Sequence, residues 1–167
     1  MKEILKTERL VLRPPKMDEC EELYSSANNI EIAKWLARMP WPLEVEETHR
    51  FIEANQDAQK DMRCVYLRGR PIGVVNVDGH FGLWLTQDCW GQGFATEAGR
   101  AMIDEVFETR DIDALPTGYF VGNNASEKLL TNLGFESANI TMMETVSFGV
   151  KKSHNMLLTR MRWRTFR

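Results

Sequence analysis

Two glycines and a hydroxyl group lie close together in residues 86–96, which read TQDCWGQGFAT. Gly91 and Gly93 lack a Cβ atom, so the backbone can approach a bulky ligand there and can adopt positive φ at no steric cost. Thr96 adds a hydroxyl donor three residues later. Backbone N–H groups that no side chain covers, together with a nearby hydroxyl, are typical of a site that binds phosphate.

The flanking residues predict the elements that would position this site. Residues 80–85 (HFGLWL) have the aromatic and aliphatic composition of a strand. After Gly93, apolar residues recur with the period of an amphipathic helix over residues 94–109. The first turn of a helix has N–H groups without intrahelical partners, at the positive end of its dipole. The expected phosphate contacts are Gly91, Gln92, Gly93, Phe94, Ala95 and Thr96.

Two common phosphate motifs do not match this segment. A P-loop has a Lys after its last Gly, where this chain has Phe94. The dinucleotide motif G-x-G-x-x-G has a third Gly, where this chain has Thr96. A strand–turn–helix unit that uses its glycines for geometry alone is the alternative interpretation at this point.

The composition indicates a globular protein. Hydrophobic residues make up 43% of the 167 residues and charged residues 27%, which argues against disorder. The net charge of −3 does not favour a nucleic-acid partner. No apolar run approaches the length of a membrane span, and the charged N-terminus is unlike a signal peptide. We therefore expect one domain over residues 1–167, with neither nucleic acid nor membrane as a partner.

The cysteines and histidines suggest a compartment and exclude one class of site. Cys20, Cys64 and Cys89 are few, odd in number and far apart, which favours a reducing compartment such as the cytoplasm. No metal-ligand spacing relates the three histidines to one another or to the cysteines. We expect a cytoplasmic protein without a metal site.

Further elements are predicted from periodicity and turn residues. A strand over 113–121 contains Pro116 and Gly118, which weaken a ladder and indicate an edge strand. A helix after residue 122 has Asn124 as its predicted cap, with Glu127 completing a capping box. The remaining predicted strands cover 7–15, 62–67, 71–77, 137–148 and 154–163, and the remaining helices cover 18–27, 30–37 and 44–60.

Two signatures resemble those of the GNAT acyltransferases. The run WGQGFATEA is similar to their pyrophosphate loop, Q/R-x-x-G-x-G/A, with Gly93 and Ala95 in place and Trp90 departing at the first position. It looks like the branch that includes the ribosomal-protein and other Nα-acetyltransferases. The run NNASEKLLTNLGF resembles the second signature, N-x-x-A/S…LGF, with Asn123 at the Asn position.

The resemblance implies a fold and an activity. The implied fold is an α/β GNAT fold, with a mixed, mostly antiparallel sheet of about seven strands flanked by helices. The implied activity is transfer of an acetyl group from acetyl-CoA to a primary amine by direct attack in a ternary complex. The acceptor would be a small molecule or a peptide, and the protein a monomer or a homodimer. In this fold Pro116 and Gly118 would lie where two central strands diverge around the pantetheine arm.

Roles for individual residues follow from the same resemblance. Asn123 would contact the pantetheine, and a backbone N–H near Leu85 or Thr86 would stabilise the oxyanion. Many members use a Tyr as the acid for the leaving thiolate, and Leu130 stands at that position here. Ser126 is the nearest hydroxyl, and we expect it to contact the cofactor and to donate to the sulfur. The alternative is that Ser126 serves only the start of its helix.

Several functional alternatives remain at the sequence level. A CoA-binding sensor without catalysis is motivated by the missing Tyr. A nucleic-acid module is motivated by the arginines near the C-terminus, although a solvated sheet edge explains them better. His80 is a candidate base because histidine commonly serves as one, but its predicted place is the far start of its strand. An acyl intermediate on Cys89 is disfavoured because no His or Asp is positioned to activate it.

Overall fold

The computed structural model describes residues 2–57 and 60–166. The elements before the glycine segment are β1 (Leu5–Lys6), β2 (Leu10–Arg13), α1 (Cys20–Ala27), α2 (Ile30–Ala33), α3 (Val45–Asn55), β3 (Met62–Leu67), β4 (Arg70–Asn76) and β5 (Gly82–Leu85). Those after it are α4 (Phe94–Thr109), β6 (Ala114–Phe120), α5 (Asn124–Asn132), β7 (Glu136–Thr145), β8 (Gly149–Thr159) and α6 (Arg160–Phe166). The described part thus has eight strands, against about seven expected.

The strands form two antiparallel sheets. The first has the order β1-β2-β3-β4-β5, and the second has the order β6-β8-β7. The sheets meet where the N–H of Phe81 donates to the carbonyl of Pro116 at 2.8 Å and the hydroxyl of Thr117 donates to the carbonyl of Phe81 at 2.8 Å. Beyond this junction β5 and β6 belong to separate sheets, so a gap opens between them towards Leu85 and Phe120. The predicted mostly antiparallel α/β fold is confirmed.

Pro116 is compatible with β6 because the direction of backbone hydrogen bonding alternates from one residue to the next along a strand. The N–H of Val121 donates to Lys152 on the β8 side, so odd-numbered residues of β6 pair with β8. The backbone groups of even-numbered residues, including Pro116 and Gly118, point towards β5. The missing N–H of Pro116 therefore removes no bond to β8, and β6 lies beside the gap between the sheets rather than at a free edge.

Helix α4 lies on one face of the sheets, as its sequence period predicts. Its stripe of Phe94, Ala98, Met102 and Val106 is buried, with exposures of 6% or less. Helix α4 packs closely against the end of α5, because a Cβ added at Gly99 would lie 2.8 Å from Leu133 Cδ1. The opposite face of the first sheet is covered by α1 and α3, whose buried side chains include Leu23 and Ile52.

The C-terminal arginines contradict the prediction of a strand over 154–163. Strand β8 ends at Thr159 and a helix follows. Arg160 turns back and donates to three backbone carbonyls, those of Phe107 (2.8 Å), Arg110 (2.6 Å) and Ile112 (2.8 Å). These carbonyls lie at and just after the end of α4, where a helix leaves acceptors unpaired. Arg160 is therefore a helix cap.

Other boundaries differ for local reasons. Helix α2 ends at Ala33 instead of residue 37, and a 3-10 turn over Met17–Glu19 replaces the start of the helix predicted from residue 18. The helix predicted over 44–60 ends at Asn55, and residues 58–59 of that prediction lie outside the described part. Strand β2 is shorter than its prediction at both ends.

Candidate functional site

The glycine segment forms a tight turn that begins α4. A 3-10 turn over Gln87–Cys89 follows β5, and Gly91 and Gly93 both have positive φ, at 71° and 81°. Gly93 is the N-cap of α4. Among the described residues no side chain caps the helix there, so its first N–H groups stay available for an external acceptor. This geometry suits an anion at the helix N-terminus.

Trp90 anchors the turn to the end of β5. Its indole Nε1 donates to the carbonyl of Leu85 at 2.7 Å, although the side chain is 45% exposed. The side chain of Gln92 donates to the carbonyl of Asp88 at 2.8 Å, and Asp88 forms a 2.7 Å ion pair with Arg70. The turn is thus held by side chains and not by its glycines alone.

An unexpected contact joins the N-terminal strands to this turn. The guanidinium of Arg9 contacts the carboxylate of Glu97 in the first turn of α4 at 2.7 Å, and its Nη1 donates to the carbonyl of Gln92 at 3.0 Å. Thr7 also donates to Glu97. Glu97 and Arg100 have the i,i+3 spacing of a helical ion pair, but in the structure Glu97 pairs with Arg9 instead. Only the tertiary fold brings residues about 90 positions apart into this contact.

The alternation of β5 decides which backbone donors face the gap between the sheets. The N–H of Thr86 donates to the carbonyl of Ile72 on β4 at 2.7 Å, so it is already used. Bonding direction alternates along an antiparallel strand, and the N–H of Phe81 points to β6. Leu83 and Leu85 lie two and four residues after Phe81, so their N–H groups have the same direction as that of Phe81. Their N–H groups therefore point into the gap between β5 and β6.

The second signature lies on the other side of the gap, at the start of α5. Asn123, rather than Asn124, caps this helix, because its Oδ1 accepts from the N–H of Ser126 at 3.1 Å. The Nδ2 donors of Asn123 and the hydroxyl of Ser126 have no protein partner in the described part of the chain. Both residues are half-buried, whereas Leu130 one turn later is buried.

A bridge formed by the segment 29–35 spans the ends of β5 and β6 on either side of the gap. The side chain of Asn29, at the start of α2, donates to Gln87 after β5 at 2.9 Å. Trp35 approaches the end of β6, since a Cβ added at Gly122 would lie 4.0 Å from its ring. The segment 29–35 thus connects the ends of the two diverging strands.

The turn between β7 and β8 extends towards this bridge. The N–H of Val146 donates to the carbonyl of Ala37 at 2.9 Å. The N–H of Trp41 donates to the hydroxyl of Ser147 at 2.8 Å. The β7–β8 turn therefore lies beside the segment that follows α2, and we call the surface around Trp35, Phe120 and Phe148 at this end of the gap the mouth.

An aromatic cluster at this mouth surrounds one ammonium group. Lys151 Nζ lies 4.9 Å from the ring centroid of Phe148, 5.3 Å from that of Phe120 and 5.8 Å from that of Trp35. It donates to the carbonyl of Lys34 at 2.5 Å. Among the described residues it has no carboxylate partner, so its charge is balanced by rings and a carbonyl alone.

The other candidates from the sequence lie in less suitable environments. His80 is exposed and precedes β5, at the end remote from Leu85. Cys89 is 3% exposed, and burial raises the pKa of its thiol, so the thiolate is disfavoured. No cluster of metal-ligating side chains occurs within residues 2–57 and 60–166. None of the helices described there is long and apolar enough to cross a membrane.

A family model described as the acetyltransferase (GNAT) domain matches residues 9–136. The chain belongs to the GNAT acetyltransferase family. The match covers the glycine turn, both diverging strands and α5, so the resemblance predicted from the two signatures is confirmed.

Known proteins resemble this GNAT chain over most of its length. The uncharacterized N-acetyltransferase p20 of Bacillus licheniformis is 26% identical, covering 83% of this chain and 85% of that protein. The microcin C7 self-immunity acetyltransferase MccE, solved with acetyl-CoA and AMP, is 22% identical, with a TM-score of 0.78 and coverage of 92% and 93%. RimL, a ribosomal L7/L12 α-N-protein acetyltransferase, is 18% identical, with a TM-score of 0.78 and 94% coverage of each chain. The two structures share the fold.

Sequence reasoning about this GNAT chain missed Arg9, Glu97 and the mouth around Lys151. The run TERL was interpreted only as a strand, and nothing local connects it to the glycine turn. Arg9 lies between Glu8 and Leu10, just before β2, and a charged residue at the start of a strand gives no signal of a contact with a helix about 90 positions away. The mouth combines residues from three separate segments, which no local pattern relates.

Proposed function

We propose that residues 1–167 form one N-acetyltransferase domain, which transfers an acetyl group from acetyl-CoA to a primary amine by direct attack in a ternary complex. The observation that carries the proposal is the gap between β5 and β6, with unpaired N–H groups facing it and a glycine turn at its end. The pantetheine arm of acetyl-CoA carries amides and ends in a diphosphate. It fits this gap because the N–H groups of the strands can bond the amides and those of the glycine turn can bond the diphosphate.

The turn fits the diphosphate of acetyl-CoA. The uncapped first turn of α4 offers N–H groups from Ala95 and Thr96, and the hydroxyl of Thr96 lies in the same turn. Gly91 leaves its surroundings open, since nothing lies within 4 Å of a Cβ added there. We assign the phosphates to Gly91, Gln92, Gly93, Phe94, Ala95 and Thr96.

The pantetheine arm would run through the gap as an additional strand. The N–H groups of Leu83 and Leu85 would bond its amides and the thioester oxygen, where negative charge develops during attack. On the other side, Asn123 has free Nδ2 donors. Thr86 would contact the cofactor through its side chain, since its N–H is used in the sheet.

Ser126 is the proposed donor to the leaving sulfur. Its hydroxyl has no protein partner in the described part, although a role confined to the helix start would engage it locally. The neighbouring Leu130 is buried and cannot donate a proton. A serine hydroxyl is a weak acid, so Ser126 would assist by a hydrogen bond, with the proton coming from water.

The acceptor amine would enter through the mouth bordered by Trp35, Phe120 and Phe148. An amine attacks in its neutral form, so it must lose a proton before the attack. The solved structures named above include a ribosomal L7/L12 α-N-protein acetyltransferase and a microcin C7 self-immunity acetyltransferase. We keep both peptides and small molecules as acceptor classes for this chain. Because Lys151 has no carboxylate partner among the described residues, amines with a nearby acidic group belong first in an acceptor panel. The buried, free cysteines suit the cytoplasm.

The test combines binding with turnover. Calorimetry should show that acetyl-CoA binds much more tightly than ATP or NAD. An acceptor panel of N-terminal peptides, amino acids, polyamines and aminoglycosides should then release free CoA thiol, and mass spectrometry should locate the acetyl group on an amine. Absence of acetyl-CoA binding would overturn the proposal.

A CoA-binding sensor is the second candidate, and Leu130 favours it. A buried leucine replaces the usual acid, so the chemical step loses one contribution while the binding groups stay in place. Tight acetyl-CoA binding without thiol release across the whole panel would select the sensor over the enzyme.

A further inference from the structure

Glu97 presents an electrostatic problem for the proposed diphosphate site. It lies in the first turn of α4, four residues after Gly93, and its side chain is only 16% exposed. A carboxylate there is attracted to the helix N-terminus and competes with any other anion for the same positive end. A diphosphate bound to that turn would be repelled by an uncompensated Glu97.

The turn between β1 and β2 compensates this carboxylate with several donors. Oε1 accepts from the hydroxyl of Thr7 at 2.5 Å and from the N–H of Arg9 at 2.9 Å. Oε2 accepts from the Nε and the Nη2 of Arg9, each at 2.7 Å. Burial alone raises the pKa of Glu97, but the bonds from Thr7 and Arg9 outweigh it and leave the pKa lowered. The carboxylate is therefore ionised and fully engaged at neutral pH.

The same guanidinium contacts the glycine turn itself. Nη1 of Arg9 donates to the carbonyl of Gln92 at 3.0 Å. The guanidinium lies 4.4 Å from the ring centroid of Phe94. Its Nη2 would lie 3.4 Å from a Cβ added at Gly93. Arg9 thus contacts the residues before and after the N-cap of α4, as well as the carboxylate one turn later.

We propose that Thr7 and Arg9 form a brace that positions the diphosphate turn and neutralises Glu97, so that the turn accepts the phosphates of acetyl-CoA. This inference rests on the proposed function. It makes Arg9 a positioning residue that acts through Glu97 and Gln92. The brace lies outside both sequence signatures and links the first sheet to the N-terminus of α4.

The test is a double-mutant cycle in the full-length protein, with acetyl-CoA affinity measured by calorimetry. Arg9→Met should weaken binding roughly tenfold at pH 8, because Glu97 loses its counter-charge. Glu97→Gln should change affinity less than Arg9→Met. The double variant R9M/E97Q should recover most of the loss, because no charge is left to repel the phosphates. Arg50→Met, which breaks an exposed surface pair with Glu47 on α3, is the matched control and should not change affinity.

The pH dependence separates this role from a purely structural one. The ratio of the dissociation constants of R9M and the wild type should shrink as pH falls from 8 towards 5, because burial without Arg9 favours protonation of Glu97 and so removes its uncompensated charge in the variant alone. A double variant as weak as R9M, or a ratio that does not change with pH, would overturn the inference. A wild-type protein without acetyl-CoA affinity would instead refute the proposed function.

Discussion

The N–H of Phe81 donates to the carbonyl of Pro116 at 2.8 Å, and at this bond the two sheets of the protein meet. Beyond this bond β5 and β6 belong to different sheets, and no group in the described part of the chain pairs with the N–H groups that face the gap. The position of this junction therefore sets where the gap begins and which amides line it. A change that moves β5 relative to β4 or β6 should alter acetyl-CoA binding without replacing any residue proposed to contact the cofactor.

Gly73 on β4 is the position where such a change is most direct. A Cβ added there would lie 2.1 Å from the carbonyl oxygen of Trp84 and 2.9 Å from Cα of Leu85, so β5 must shift. Gly73→Ala should destabilise the protein by about 3 kcal/mol in urea unfolding and weaken acetyl-CoA binding. Gly82→Ala is the control on β5, since its Cβ would meet only a side chain at 3.8 Å. Equal effects of the two changes would contradict this explanation.

Gly93 tests the glycine turn. Its φ of 81° disfavours a β-branched residue, and a side chain there would meet Nη2 of Arg9 at 3.4 Å. Gly93→Val should abolish acetyl-CoA binding in calorimetry while circular dichroism shows a folded protein. Gly79→Val imposes the same type of strain, at φ 70°, in the turn before β5 and should keep its affinity. Wild-type affinity in the Gly93 variant would place the phosphates elsewhere.

Ser126 tests the chemical step. Ser126→Ala should lower kcat roughly ten- to a hundredfold, or about 1.4–2.7 kcal/mol of barrier, with little change in acetyl-CoA affinity. The physical reason is that a hydrogen bond to the sulfur strengthens as the thiolate forms. Ser25→Ala, on the exposed part of α1, is the control. A drop in affinity with kcat unchanged would make Ser126 a binding residue, and no change in either would limit it to the helix start.

Arg160 tests the interpretation of the arginine-rich end. It donates to three carbonyls at the end of α4, so Arg160→Met should lower the free energy of unfolding by about 2–3 kcal/mol. Arg164→Met, which changes an exposed residue of α6, should have little effect. We expect neither variant to show the salt-dependent loss of binding to duplex DNA that a nucleic-acid module would have. Tight, salt-sensitive DNA binding by the wild type, lost in R164M, would contradict this.

Much of the proposed site was predictable because its determinants are local. Gly91 and Gly93 allow a turn that other residues resist, and the period of Phe94, Ala98 and Met102 determines the buried face of α4. These properties depend on residues within one or two helical turns, which the sequence displays directly. Even the order of strand, turn and helix follows from such local preferences.

Other local predictions failed where a neighbour in space altered the balance. Asn123 and Asn124 are both good caps, and the structure forms the cap hydrogen bond at the first. Apolar and polar residues alternate after Thr159, as in a strand. In the structure, however, the ring of Trp163 stacks on that of Phe107 with centroids 5.1 Å apart, and Arg160 donates to carbonyls at the end of α4. Propensities of a few tenths of a kcal/mol are smaller than such contacts, so tertiary structure decides these boundaries.

The sequence by itself determined the glycine turn, the helix that follows it and the family. Only the tertiary structure decided that the N–H of Leu85 faces the gap while that of Thr86 is used, because the register with β4 sets the direction of every amide. It also joined Arg9 to Glu97 and enclosed Lys151 by three rings. Phe148 is only three positions from Lys151, but the other contacts join residues from about 30 to about 115 positions apart. They form only after the sheets and helices have packed, so no local pattern encodes them.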